Sequence, residues 1–218
     1  MEYRILTGTG MTVSRLSLGT MTFGAQADEA TSDRMVRMAL DAGINFVDTA
    51  DVYTRGRSEE ITGRAIKGVR DQVILATKIG SPTGRAPRDA GLHRHHIIKG
   101  VEQQLHRLQT DYVDVYYMHR PDPNTPMEET LAAFETLAQQ GKIRYLGMSN
   151  HASWQIGEAK WIADALRDFA RIWTAMTPEN QGRLLRALVA AVRVKKESGV
   201  VEVKLVNFAA DPSAKEAA

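Results

Sequence analysis

The sequence predicts an α/β fold in which strands and helices alternate. Two observations predict it. Five short runs within residues 14–150 are too apolar for either face to lie in water, which is typical of buried parallel strands. A stretch with helical spacing of apolar residues follows each run, and one strand–helix pair takes roughly 30 residues, the usual length of a βα unit. Functional groups of such folds lie at the carboxyl ends of the strands.

Composition is that of an ordinary globular protein. The 218 residues are 43% hydrophobic and 25% charged, and the net charge is +2, which does not favour a nucleic-acid partner or an anionic membrane. The chain has no cysteine, so disulfides, thiolate metal sites and cysteine nucleophiles are excluded. No apolar leader and no run of bilayer length is visible, and we therefore expect a soluble, cytoplasmic protein.

The first residues predict a β-hairpin followed by a strand. Residues 1–19 contain two short extended stretches around a glycine-rich turn, and the run SRLSLG follows them. A helix comes next. Either Thr31 or Ser32 can serve as its N-cap, and Gly43 ends it.

The strand–helix unit then recurs through residue 165. One predicted helix carries Ile97, Val101, Leu105 and Leu108 on a single stripe, as expected for a helix that packs on a sheet. Another has acids in its first turn, where the helix dipole favours them. The predicted strands span 44–50, 73–80, 112–119 and 142–150, and the predicted helices span 58–68, 95–109, 127–141 and 153–165.

Polar side chains follow the ends of four predicted strands. In a parallel arrangement these ends meet at one rim, so we expect the polar groups to converge there. Each alone has an ordinary structural interpretation, such as a turn cap or a solvated lysine. The residues at these strand ends are Asp48, Tyr53, Lys78, His119, Ser149 and Asn150.

The combination of side chains suits proton delivery to a carbonyl group. A lysine on a buried strand is costly unless it is paired, and Asp48 can pair with Lys78. A lysine cation next to Tyr53 stabilises the phenolate, which makes the phenol a better proton donor. A nearby His119 can hydrogen-bond a substrate oxygen. Together these groups can protonate a carbonyl oxygen while the carbon receives a hydride.

Several motifs resemble the aldo-keto reductase family, in the family's order and spacing. They are SLGTMTFG, AGINFVDTADVYTRGRSEEITGRAIKG, VILATKIG, LQTDYVDVYYMHRPDPNTPMEETL and GKIRYLGMSN. The resemblance covers residues 1 to about 165 and implies a (β/α)8 barrel that uses NADPH to reduce a small carbonyl substrate. It also implies that Asp48, Tyr53, Lys78 and His119 form the catalytic tetrad. Tyr53 would be the general acid, Lys78 and Asp48 would tune it, and His119 would orient the carbonyl.

The same resemblance implies a set of cofactor contacts. Residues matching Ser149 and Asn150 hold the nicotinamide carboxamide in the family. Gly19, Thr20 and Met21, at the end of the first parallel strand, would line the cofactor's edge together with Asp48.

The alternation of strand and helix stops at Leu166. The family pattern predicts three further βα units, with a glutamine and a tyrosine under the nicotinamide and a basic cluster for the phosphates, and these motifs are not found. Instead, residues 166–206 predict two helices and a β-hairpin. Thr177 caps the second helix with Pro178 at its first position, and the hairpin turns at Ser198-Gly199.

The second helix of this tail predicts one apolar face, formed by Leu184, Leu185, Leu188 and Val189, and residues 211–218 predict a frayed end. The tail is similar to a segment near the C-terminus of large serine recombinases, without that family's catalytic serine domain. We therefore expect two domains: a truncated reductase-like barrel portion at 1–165 and a foreign extension at 166–218.

The predicted fold is thus a partial (β/α)8 barrel of about five units with an N-terminal hairpin and an appended tail. Five strands cannot close as eight do, and the open sheet edges need cover, so we expect a homo-oligomer of two or more chains.

Two other functions stay open at this point. Tyr53, Lys78, His119 and Ser149 could attack an activated ester without a cofactor, although no G-x-S-x-G elbow is present. The chain could also be a folded but catalytically silent fusion. Arg85, Arg88 and Arg94 are conceivable substitutes for the phosphate contacts. The cluster at 93–96 offers three histidines but no accompanying carboxylate motif, so no metal site is predicted.

Overall fold

The N-terminal residues form the predicted hairpin. In a computed structural model, which describes residues 1–195 and 200–205, β1 (Tyr3–Ile5) pairs antiparallel with β2 (Thr12–Ser14). The side chain of Asn45 holds the hairpin against the next segment, because its Oδ1 accepts from the Ser14 backbone N–H at 2.8 Å. The hairpin therefore lies next to the start of the second parallel strand.

Five parallel strands form the central sheet, in the same order as in the chain. The sheet confirms the predicted α/β class and agrees with a partial barrel of five βα units. Each strand follows the preceding one by a crossover, so all five carboxyl ends lie at one edge of the sheet. The strands are β3 (Ser17–Gly19), β4 (Phe46–Asp48), β5 (Ile74–Ile79), β6 (Val113–Met118) and β7 (Ile143–Met148).

Four helices form the crossovers between these strands. The predicted stripe on the third of these helices is confirmed: Ile97, Val101, Leu105 and Leu108 are all buried in the core. Short 3-10 turns at Tyr53–Gly56 and Arg70–Gln72 flank the second helix. The helices are α1 (Glu29–Asp41), α2 (Arg57–Ala65), α3 (Arg94–Leu108) and α4 (Met127–Gln139).

Helix α1 begins earlier than the sequence predicted. Asp28 is its N-cap, and its carboxylate accepts from the Thr31 backbone N–H at 2.8 Å. The prediction of Thr31 or Ser32 as the cap was wrong, because an aspartate three residues before Thr31 already satisfies that amide. Ser32 instead faces inward on the buried side of the helix.

The chain divides into two compact units, Met1–Ala163 and the residues from Asp164 onward. Helix α5 (Ser153–Ala175) is continuous across residue 165, where the sequence predicted a change of character. Helix α6 (Pro178–Leu188) begins as predicted, since the Thr177 hydroxyl accepts from the Asn180 backbone N–H at 3.4 Å.

Val189 was predicted to lie on the face of that helix, and this was wrong: it is the first residue of a strand. Strand β8 (Val189–Lys195) pairs antiparallel with β9 (Val200–Leu205), which confirms a hairpin pairing. Ser198-Gly199 and residues 211–218 lie outside the described residues. Among the described helices, none has the length and apolar character that crossing a bilayer requires.

Candidate active site

The parallel register brings the predicted polar residues to one rim of the sheet. Asp48 ends β4, in register with Gly19 on β3. His119 follows β6, and its backbone N–H donates to the Ile79 carbonyl at 2.8 Å. Ser149 follows β7 in the same manner, donating to Met118 at 2.9 Å. The main chain thus fixes the height of each side chain at the rim.

Lys78 lies at the centre of this rim and is 7% exposed. Its ammonium group forms an ion pair with the Asp48 carboxylate and donates to the Thr49 carbonyl at 2.7 Å. The third contact is to the Tyr53 hydroxyl, at 3.3 Å. A lysine has three N–H donors, and all three have partners here, so the ammonium group is held in one position.

The loop that carries Tyr53 is conformationally restrained. Thr54 and Arg55 have φ values of 46° and 56°, in a left-handed backbone region that residues other than glycine and asparagine seldom adopt. The Thr54 hydroxyl donates to the Phe23 carbonyl at 2.8 Å, which ties this strained turn to the loop after β3. Strain of this kind persists only where surrounding contacts enforce it, and it clusters at functional sites.

His119 completes the group opposite Tyr53. The two rings meet edge to face, with centroids 6.0 Å apart and planes at 82°. Burial, and next the positive charge of Lys78, lower the pKa of His119 below its ordinary value, so the imidazole is neutral at neutral pH. Within the described part of the chain, its buried Nδ1 has no hydrogen-bond partner.

Ser149 and Asn150 present polar atoms at the same edge. Asn150 has a left-handed φ of 60°, and its Nδ2 donates to the His119 carbonyl at 2.8 Å and to the Ser149 hydroxyl at 3.2 Å. Its Oδ1 makes no hydrogen bond with the described residues. An amide oxygen and a hydroxyl are therefore available side by side, a set that can pair with a carboxamide.

The residues after β3 have different exposures. Gly19 and Met21 face solvent, with Met21 64% exposed, whereas Thr20 is fully buried. The Thr20 hydroxyl donates to the Asp48 carbonyl at 3.1 Å and lies 2.9 Å from the Ser58 hydroxyl. Thr20 therefore fastens the end of β3 to the end of β4, and only its two neighbours offer surface to a ligand.

Sequence reasoning missed a buried polar network under the rim. The Glu59 carboxylate is fully buried; it accepts from Thr77 at 2.6 Å, Gln104 at 2.9 Å and Arg107 at 2.7 Å. Gln104 also donates to the Lys78 carbonyl at 2.9 Å. The network thus fixes the main chain at Lys78. The spacing of polar residues on α2 and α3 gave no signal of it, since Glu59 matches an ordinary first-turn acid.

The other residues considered from the sequence lie elsewhere. His93 caps α3, its Nδ1 accepting from His96 at 3.2 Å, and His96 Nδ1 lies 2.9 Å from the Gly91 carbonyl. Across the part of the chain that the structure describes, no group of three or more His, Asp or Glu side chains could hold a metal ion. Arg94 binds the Thr136 hydroxyl on α4 at 3.2 Å, so it is engaged in helix packing.

Comparisons with known proteins identify a family and several relatives of this chain. The model of the Aldo/keto reductase family matches residues 15–207, and so its match extends into the tail. The chain is 43% identical to the aldo-keto reductase YhdN of Bacillus subtilis, over 83% of this chain and 54% of that protein. It is 42% identical to a probable voltage-gated potassium channel subunit beta of Oryza sativa subsp. japonica, over 76% of this chain and 52% of that protein.

A solved structure of an aldo-keto reductase also matches this chain. The aldo-keto reductase AKR11C1 from Bacillus halodurans, in its holo form, superimposes with a TM-score of 0.67 at 39% identity, over 72% of this chain and 53% of that one. The chain spans about half the length of the curated relatives it matches. Because the family model covers most of the sequence, this chain belongs to the aldo/keto reductase family.

Proposed function

We propose that this chain reduces aldehydes or ketones to alcohols with NADPH, using Asp48, Tyr53, Lys78 and His119. The single observation that carries the proposal is the placement of Lys78. Its ammonium group lies 3.3 Å from the Tyr53 hydroxyl while Asp48 and the Thr49 carbonyl hold its other two donors. A fixed cation next to an accessible phenol is what a general acid for carbonyl reduction requires.

Each side chain has a distinct role in the proposal. Tyr53 donates its proton to the carbonyl oxygen as the carbon gains a hydride, which leaves an alcohol and a phenolate that solvent reprotonates. Lys78 stabilises the phenolate, and Asp48 holds Lys78 in place. His119, neutral because its pKa is lowered, donates a hydrogen bond to the carbonyl oxygen without competing as an acid.

The polar atoms at the rim fit a nicotinamide. The free Oδ1 of Asn150 can accept from a carboxamide N–H, and the Ser149 hydroxyl can donate to the carboxamide oxygen. Gly19 and Met21 offer the exposed surface beside them. When bound, NADPH supplies the hydride; the residues of this chain orient the ring and deliver the proton.

The assembly and the tail are part of the proposal. Among the described residues, β3 and β7 each pair with only one neighbouring strand of the sheet, and exposed strand edges favour association. We therefore propose a homo-oligomer. A separate compact unit begins at Asp164, which supports the further proposal that residues 166–218 are an extension foreign to the barrel, although the family model aligns with part of that extension. Light scattering coupled to size-exclusion chromatography checks the first part, since a monomeric mass of 24.1 kDa would contradict it.

Oxidation of NADPH in the presence of an aromatic aldehyde tests the function. Tyr53→Phe removes only the phenol oxygen, so we expect the rate to fall by about a hundredfold or more while the fold is kept. The matched control is Tyr112→Phe, since Tyr112 lies at the opposite end of β6, where its ring stacks on Arg70 and Arg144 at 4.1 and 4.0 Å. Equal rates in Tyr53→Phe and the control would refute the assignment.

A further inference from the structure

A cavity lies next to the proposed active site. A cavity of about 720 Å³ opens between the loop after β4, the loop after β5 and helix α3. None of Asp48, Tyr53, Lys78 and His119 lines it. Its volume is in the range of small-molecule sites, so the cavity can hold a ligand of its own.

The rim of this cavity is cationic. Arg55, Arg88 and Lys99 line it, all three are exposed, and none forms an ion pair with another described residue. Of the two exposed-side acids on the same wall, Glu102 pairs with Lys142, whereas Asp89 only accepts from the Ala86 backbone N–H at 3.0 Å and forms no ion pair with a described residue. Three unpaired cations against this one carboxylate leave the rim with a net positive charge.

The floor of the cavity is Asp51, which is only 4% exposed. Neither oxygen of its carboxyl group has a hydrogen-bond partner of good geometry among the described residues. The backbone N–H groups of Val52 and of Asp51 itself act to lower its pKa, but by less than burial and Glu59 raise it. Burial, and next the negative charge of Glu59, raise the pKa of Asp51 to about 8. At neutral pH the group is therefore a protonated acid with an unused O–H donor.

The groups around Asp51 cannot supply the missing partner. Arg107 is held by the Glu59 carboxylate at 2.7 Å, and the Tyr116 hydroxyl donates to Gln104 at 2.5 Å. The pKa of Tyr116 is raised far above its ordinary value, first by burial, so the phenol stays neutral. The titratable and charged groups that face Asp51 or share its cavity are Glu59, Arg107, Tyr116, Arg55, Arg88, Asp89, His96, Lys99, Glu102 and His106.

We propose that this cavity binds a small oxyanion, a phosphate or carboxylate group of a metabolite, between the cations of its rim and the carboxyl group of Asp51. Three unpaired cations attract the anion, and Asp51 donates a hydrogen bond to one of its oxygens. A metal ion does not fit, because the described residues include no group of three or more His, Asp or Glu side chains that could ligate one.

The proposal predicts a defined pH dependence. Asp51 has to be protonated to donate, and it ionises above its pKa of about 8. The apparent affinity for an oxyanion should then fall about tenfold for each pH unit above that value. Asparagine has the same shape as aspartate and keeps an N–H donor at all pH values, so Asp51→Asn should remove the dependence.

Calorimetric titration of the full chain with sulfate tests the site, because the charge of sulfate is constant between about pH 7 and about pH 9. Sodium chloride keeps the ionic strength equal. We expect saturable binding at pH 7 that is roughly tenfold weaker at pH 9 for the native chain and unchanged for Asp51→Asn. Lys99→Ala should weaken binding severalfold at both pH values, whereas the exposed Lys67→Ala, outside the cavity, should not.

No saturable sulfate binding, equal affinity of the native chain at both pH values, or no effect of Lys99→Ala would overturn the proposal. If Asp51→Asn does not give a cooperative melt, Arg88→Ala replaces it as the test of the rim. The sulfate affinities of the native chain at pH 7 and pH 9 then still test the role of Asp51. Addition of NADPH to the sulfate-bound chain distinguishes two sources of the oxyanion. If NADPH displaces sulfate, the cavity binds the phosphates of the cofactor. If both bind at once, the cavity binds a separate small molecule, and this result does not depend on reductase activity.

Discussion

Two aspartates three residues apart, one at the end of β4 and one in the loop after it, have opposite surroundings. Asp48 lies at the rim, its side chain 26% exposed, and pairs with the Lys78 ammonium group. Asp51 lies deeper, at 4% exposure, with no hydrogen-bond partner of good geometry among the described residues and a pKa raised to about 8. The first carboxyl group is built into a charged cluster, while the second is held as a neutral acid.

The difference teaches that the partner, more than the residue type, decides what a carboxyl group can do. The Asp48 carboxylate forms an ion pair with the Lys78 ammonium group, and that ion pair positions the lysine beside Tyr53. Near Asp51 the adjacent cation, Arg107, is already paired with Glu59. Burial then dominates, and the acid keeps its proton.

The largest effect is expected when the ion pair of Asp48 with Lys78 is removed. Lys78→Met removes the cation that the proposed mechanism needs, so we expect the NADPH-dependent rate to fall by about a hundredfold to ten-thousandfold. Lys67→Met, at an exposed position in the turn just after α2, is the control. A Lys78→Met rate within a factor of a few of the control would contradict the role of the ammonium group.

The next prediction concerns Asp51, the aspartate without an ion-pair partner. The folded chain keeps the Asp51 proton between the unfolded value of 3.8 and about 8, whereas the unfolded chain has released it. Asp51 therefore costs stability as pH rises through this window, by at most about 1.4 kcal/mol per pH unit. Asp51→Asn should gain stability relative to the native chain from pH 4 to pH 8.

Urea unfolding at several pH values measures this gain. Asp111→Asn, at an exposed position, is the matched control and should follow the native chain. A constant difference between Asp51→Asn and the native chain at all pH values would show that Asp51 is ionised in the folded protein.

A smaller effect is expected from the network that links the two regions. Glu59→Gln leaves the half-buried Arg107 beside a neutral amide, and loss of one partner of a largely buried ion pair costs up to about 3 kcal/mol of unfolding free energy. Glu60→Gln is the control, because Glu60 pairs with Arg57 where both side chains are exposed, and such pairs contribute less than about 1 kcal/mol. Thermal melts of the two variants compare these losses.

The smallest expected effect is on the pH–rate profile. His119 has a lowered pKa, so it stays neutral to pH values below the ordinary 6.5. We expect no fall in the reductase rate as pH decreases from about 7.5 to about 6.5, and a fall only below that range. The unfolded chain takes up this proton first, so the histidine also lowers stability as pH falls below 6.5. A rate that has already fallen by about half at pH 6.5 would indicate an unperturbed imidazole.

Much of the fold follows from the sequence because its signals are local. Apolar runs and helical stripes predicted five βα units, and the position of Asp48, Lys78 and His119 at strand ends predicted their convergence. The cap at Asp28 was missed because two competing candidates stood nearby. Asp51 and Glu59 could not be identified, because their burial depends on α2, α3 and the sheet packing together, which no local pattern records.

Transfer of deuterium is the most direct test of the proposed chemistry. The native chain is mixed with NADPH deuterated at the transferred position and an aromatic aldehyde, and the alcohol is analysed by mass spectrometry. We predict one deuterium in the alcohol from the native chain and from Tyr112→Phe, and almost none from Tyr53→Phe over the same time. Alcohol without deuterium, or equal transfer by Tyr53→Phe, would contradict a reductase centred on Tyr53 and Lys78.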